Sequence, residues 1–127
     1  MKTRPGKNWV TAVLPDTYKD FDRLGVPRWL EDEIISQFHA LGDMLSPERD
    51  DRIEKISRRD CPGLFRLKIT DPDAARQLRG FVYVARQDKG NRRGVWVLIG
   101  VTTRNEFTYR ESLSSIRDRF RTLFCKG

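Results

Sequence analysis

The chain has 127 residues, 38% hydrophobic and 34% charged, a balance that predicts a soluble single domain over residues 1–127 with its own core. Two cysteines, Cys61 and Cys125, exclude a disulfide framework, and no apolar run approaches the roughly 20 residues that span a bilayer. The net charge of +7 is uneven: residues 1–75 carry 13 cationic and 14 anionic side chains, whereas residues 76–127 carry 12 and 4.

In chain order, the β-branched stretch "NWVTAVLP" predicts a strand at 8–14 that Pro15 stops. Asp16 is then the expected N-cap of a helix through "TYKDFDRL", with Tyr18, Phe21 and Leu24 as its apolar stripe and Gly25 as its end. Pro27 opens a second helix, in which Leu30, Ile34, Phe38, Leu41 and Leu45 recur at spacings of four and three as one buried face. Residues 46–63 hold only Ile53 and Ile56 among charged residues and prolines, and read as a solvated connection with at most a helical turn. Three strands follow, "LFRLKIT" (64–70), "GFVYVARQ" (80–87) and "GVWVLIGVT" (94–102), the last two joined by a hairpin at "DKGN". "DPDAARQL" separates the first two and has room for a helical turn. Leu113, Ile116, Phe120, Leu123 and Phe124 fall at helical spacing in the closing segment, with Arg110, Arg117, Arg119 and Arg121 off that stripe.

Short links between neighbouring strands make them antiparallel, which predicts an α+β fold: an antiparallel sheet of about four strands, an N-terminal helical hairpin and a C-terminal helix. Phe65, Leu67 and Ile69 would lie under the helices. Arg66 and Lys68 alternate with them, so both point to the opposite face. That pair reads either as a grip on an anion or as a solvated strand face. Trp9, Trp29 and Trp96 read as core or helix–sheet packing rather than base-stacking platforms.

No phosphate-binding glycine loop, nucleophile elbow or metal-ligand spacing is present, and the single histidine, His39, reads as structural. The carboxylates of the first half are expected on helix surfaces. What remains is a set of cations and one tyrosine in or beside the strands: Arg66, Lys68, Arg79, Arg104 and Tyr109. Such groups can stabilise a phosphorane electrostatically, and RNA brings its own nucleophile in the 2′-hydroxyl. Arginine supplies 10 of the 12 cations after residue 75, and its fork matches phosphate oxygens in pairs.

The element order resembles the RelE/ParE superfamily of bacterial toxins, in particular its RelE- and HigB-like messenger-RNA interferases. The resemblance spans most of residues 8–124. "LFRLKI" is similar to the family strand in which two basic residues alternate with apolar ones. "RGFVYVA", with Arg79, is similar to the next, and "IGVTTRNEFTY", with Arg104 and Tyr109, resembles the last strand and its exit. The resemblance implies cleavage of messenger RNA in the ribosomal A site by metal-independent 2′-hydroxyl attack, without a cofactor, in the cytoplasm. Arg66, Lys68, Arg79, Arg104 and Tyr109 would be catalytic. Arg86, Arg92, Arg93, Arg110 and Arg117 would contact RNA or the ribosome, and a cognate antitoxin would be the controlling partner. Two alternatives stay open: a ParE-like DNA gyrase inhibitor, which Thr102 and Thr103 after the last strand favour, and a non-catalytic nucleic-acid-binding module.

Overall fold

The computed structural model describes residues 2–56, 63–72, 76–89, 92–104, 114–119 and 121. Strands β1 (Lys2–Pro5) and β2 (Val10–Val13) precede helices α1 (Pro15–Arg23) and α2 (Arg28–Ala40). Two single turns of tighter helix, Leu41–Asp43 and Pro47–Arg49, lead to β3 (Ile53–Lys55), β4 (Leu64–Asp71), β5 (Arg76–Lys89) and β6 (Arg92–Thr103). Residues 114–119 form a further helical segment, α3. None of the described helices is long and apolar enough to cross a membrane.

The sheet corrects the expected architecture. It has six strands, not four, in the order β1-β2-β6-β5-β4-β3, and it is mixed, because β2 runs parallel to β6. The rule that short links give antiparallel neighbours holds for β4, β5 and β6. It has no force for β2 and β6, which most of the chain separates and no turn constrains. β1 and β3 went unforeseen because they have four and three residues and carry charge or proline at the sheet margins. β4 is accordingly the second strand from one edge.

The helices follow their apolar spacing closely. Phe21, Leu30, Ile34, Phe38 and Leu41 are buried against Leu67, Ile69, Leu78, Val82 and Leu98 on one sheet face, where Trp9 and Trp96 meet edge to face at 5.9 Å. Leu45 departs from the expected stripe. The helix ends at Ala40, one tighter turn follows through Asp43, and the extended Met44 takes Leu45 off the helix and out to solvent. Pro15 takes the first position of α1, so Leu14 is the N-cap and Asp16 lies in the first turn. Gly25 supplies the left-handed step (φ 65°) between α1 and α2. A second, smaller core fills the other face, where Ala12, Leu14, Leu64, Phe81, Val97 and Ile99 are closed over by Ile116 of α3.

Helix α1 does the work of a strand where β2 ends. The Leu14 N–H and the Thr17 hydroxyl both donate to the Leu98 carbonyl, and the Val101 N–H donates to Asp20 Oδ2. Asp20 is buried and receives both Nη groups of Arg119 at 2.7 and 2.9 Å, which pins α3 to α1 across the end of β6.

Candidate functional site

Strand register assembles the cations. Glu54 stands opposite Arg66, Lys68 opposite Arg79, and Arg79 opposite Thr102, all on the face away from α2. Leu67 and Ile69, the residues between and after the two cations, are buried in the α2 core. The two cations of the strand therefore do share a face. That face is only partly open, since α3 closes its centre with Ile116.

The geometry is that of a charge cluster around one carboxylate. Arg66 Nη2 lies 2.7 Å and Lys68 Nζ 3.8 Å from Glu54 Oε2. The hydrogen bond and charge of Arg66, with smaller help from Lys68 and Arg79, hold the Glu54 carboxyl below its ordinary range. Arg79 is only 6% exposed, and its Nη1 donates to the Leu78 carbonyl at 2.8 Å. Two cations thus share one carboxylate oxygen, and a third, buried, stands opposite Lys68 on the same face.

Parity explains why the cation of β5 is residue 79 and not 80. Gly80 faces the α2 core, where a Cβ would meet Leu98 Cδ1 at 3.2 Å and Leu67 Cβ at 3.4 Å. An arginine there would bury its charge among leucines, whereas Arg79 points to the Glu54 side. Thr102 completes the row as a fully buried residue whose hydroxyl makes no hydrogen bond among the described residues.

The remaining expected residues fall elsewhere. Arg104 is exposed just beyond β6, its N–H bonded to the Gln77 carbonyl. Arg93 is exposed at the start of β6, and its backbone N–H donates to the Asn8 carbonyl. Arg86 belongs to β5 and Arg92 to β6, near the Lys89–Arg92 end of their pairing. Arg117 lies on α3, half-buried. Tyr109 and Arg110 lie outside the described residues, as do Cys61 and Cys125.

Two residues depart from expectation. Glu54 lies on β3 beside Arg66 rather than in a solvated connection, and the sequence marks this only by the alternation of Ile53 with Glu54. Packing holds for Trp9 and Trp96 at 1% exposure but not for Trp29 at 48%. His39 has the structural role expected of it: Nδ1 sits 2.6 Å from the Thr11 hydroxyl, between α2 and β2. Burial, and secondarily the charge of Arg4, push its pKa down.

No protein-family model matches the chain, and no match is found among curated proteins or solved structures.

Proposed function

We propose that the protein is a toxin that cleaves messenger RNA in the ribosomal A site, with Arg66, Lys68 and Arg79 gripping the scissile phosphate. The observation that carries this reading is the pairing of Arg66 and Lys68 with one carboxylate, Glu54, with Arg79 opposite Lys68 on the same sheet face. The ribosomal setting and the controlling antitoxin rest on the resemblance of "LFRLKI" and the strands after it to the interferase family.

The chemistry follows from the groups at hand. The 2′-oxygen attacks phosphorus, the bond to the 5′-oxygen breaks, and a 2′,3′-cyclic phosphate and a free 5′-hydroxyl result. Glu54 accepts the proton of the 2′-hydroxyl. The Arg66 fork and the Arg79 guanidinium neutralise the phosphorane oxygens, a contact worth about 2.7–4 kcal/mol for each preorganised donor. The leaving oxygen takes a proton, for which the Lys68 ammonium and the Tyr109 hydroxyl are the candidate donors.

End-group analysis of messages cut on programmed ribosomes tests the reaction. Cyclic phosphate ends, and a loss of about 10²-fold or more in Glu54→Gln, are the expected results. Intact messages, or cuts that leave a 5′-phosphate and a 3′-hydroxyl, would overturn the mechanism. One observation favours a second reading, a nucleic-acid- or gyrase-binding module without cleavage: Arg66 already has a counter-charge in Glu54. Accumulating gyrase–DNA breaks in arrested cells with intact messages would select it.

A further inference from the structure

A second feature lies around the edge of β4 from the cation face. β3 covers only Phe65–Leu67 of β4, and the next outward group, the Lys68 N–H, is taken by the Arg52 carbonyl at 2.8 Å. Backbone direction repeats every second residue, so the N–H and C=O of Thr70 point to that same outer side. There they border a cleft of about 390 Å³ between the strand edge and α2. Ligand sites commonly begin at roughly 300 Å³.

The walls are chemically distinct. Trp29, 48% exposed, and Glu33 one turn further on line it from α2, while Leu30, Ile34 and Ile69 supply apolar surface. Asp51 and a polar relay complete the lining: Arg52 Nε donates to Asp50 at 2.9 Å, its Nη1 to Gln37 Oε1 at 3.1 Å, and Gln37 Nε2 to Glu33 Oε1 at 3.3 Å. The Arg52 charge is thereby answered by Asp50. Glu33 and Asp51 are left as carboxylate acceptors on the cleft wall of a chain whose net charge is +7.

A half-exposed indole, carboxylate acceptors and an open strand edge define a flat ligand with adjacent N–H donors. Guanine has that edge, with N1–H and the exocyclic amino group side by side. Adenine, cytosine and uracil each place an acceptor there, which would face the carboxylates. We infer that the cleft between α2 and the β4 edge is a base pocket for a guanine of single-stranded RNA, stacked on Trp29 and read by Glu33 and Asp51. The inference rests on the RNA-cleaving reading, because Lys68 links the two places: it lines the cleft, and its ammonium reaches Glu54 on the other face. The pocket would then select the base of a nucleotide next to the scissile phosphate.

The three indole N–H signals in a nitrogen–proton correlation spectrum provide the test, with Trp29 assigned from Trp29→Phe. Guanosine monophosphate should shift the Trp29 signal saturably and leave those of Trp9 and Trp96, both 1% exposed, in place. Adenosine and cytidine monophosphates should bind at least about tenfold more weakly, and the Glu33→Gln/Asp51→Asn double variant should lose guanosine affinity by about tenfold or more. No Trp29 shift, equal response to adenosine, an unchanged double variant, or a response only to an extended peptide added at the strand edge would each overturn the pocket. RNA cleavage without guanosine binding removes the pocket and leaves the proposed activity. Guanosine binding without RNA cleavage removes the activity.

Discussion

At Arg66 the guanidinium lies 2.7 Å from Glu54, with its side chain 26% exposed and that of Glu54 45%. A pair so open to water adds little to stability, so Arg66→Ala should melt close to the native chain. In single-turnover cleavage the same variant should lose about 10²-fold, since it removes a preorganised contact to the transition state. Arg66→Lys should recover charge but not the fork, and so only part of the rate. An Arg66→Ala chain that unfolds early, with activity lost only in proportion, would make the residue structural. The partner half of this pair was hidden in the sequence. Alternation put Arg66 and Lys68 on one face, but Glu54 meets them only through a three-residue strand too short and too charged to announce itself.

His39 gives a pH dependence of definite sign. Its Nδ1 lies 2.6 Å from the Thr11 hydroxyl, and burial first, then Arg4, lowers its pKa below the ordinary value near 6.5. The unfolded chain therefore binds a proton before the folded one does, and stability rises with pH between the two values. The contribution is complete above about pH 6.5 and is lost as pH falls toward the depressed folded value. Melting temperatures of the native chain and His39→Gln, compared between about pH 7 and 5, should converge as pH falls. A constant gap across that range would show that His39 does not titrate differently on folding.

Among the elements, α1 carries the most unusual duty. It continues the edge of β6 after β2 stops, through Thr17 and Asp20, and Asp20 also anchors Arg119 of α3. The Asp20 side chain is 3% exposed and that of Arg119 22%. Asp20→Ala should cost about 3 kcal/mol, the lower end for a broken buried pair because Arg119 keeps some contact with water. Chemical denaturation would measure it, and a loss below about 1 kcal/mol would place the pair among surface bridges. Periodicity made α1, α2, β4, β5 and β6 readable, since each has enough turns or alternations to declare a face. β1 and β3 were too short to do so. The β2–β6 pairing was illegible for another reason: nothing local to either segment states which way a distant neighbour runs.

For the molecule as a whole, the surplus of positive charge after residue 75 and the cation face of β4 and β5 act together. On the proposed reading the surplus would draw in a polyanion, with affinity that falls as salt rises, and the face would hold one phosphate. Helical and strand periods were each legible in their own segments, whereas the six-stranded mixed sheet, with its parallel pair, overturns the four-stranded antiparallel fold expected from them. The most direct test of the account is cleavage of messenger RNA on programmed ribosomes by the Arg66→Ala/Lys68→Ala double variant, with thermal unfolding measured on the same preparation. The account predicts A-site cuts by the native chain and a folded double variant that is slower by about 10²-fold or more. A folded double variant that cuts at the native rate would contradict it.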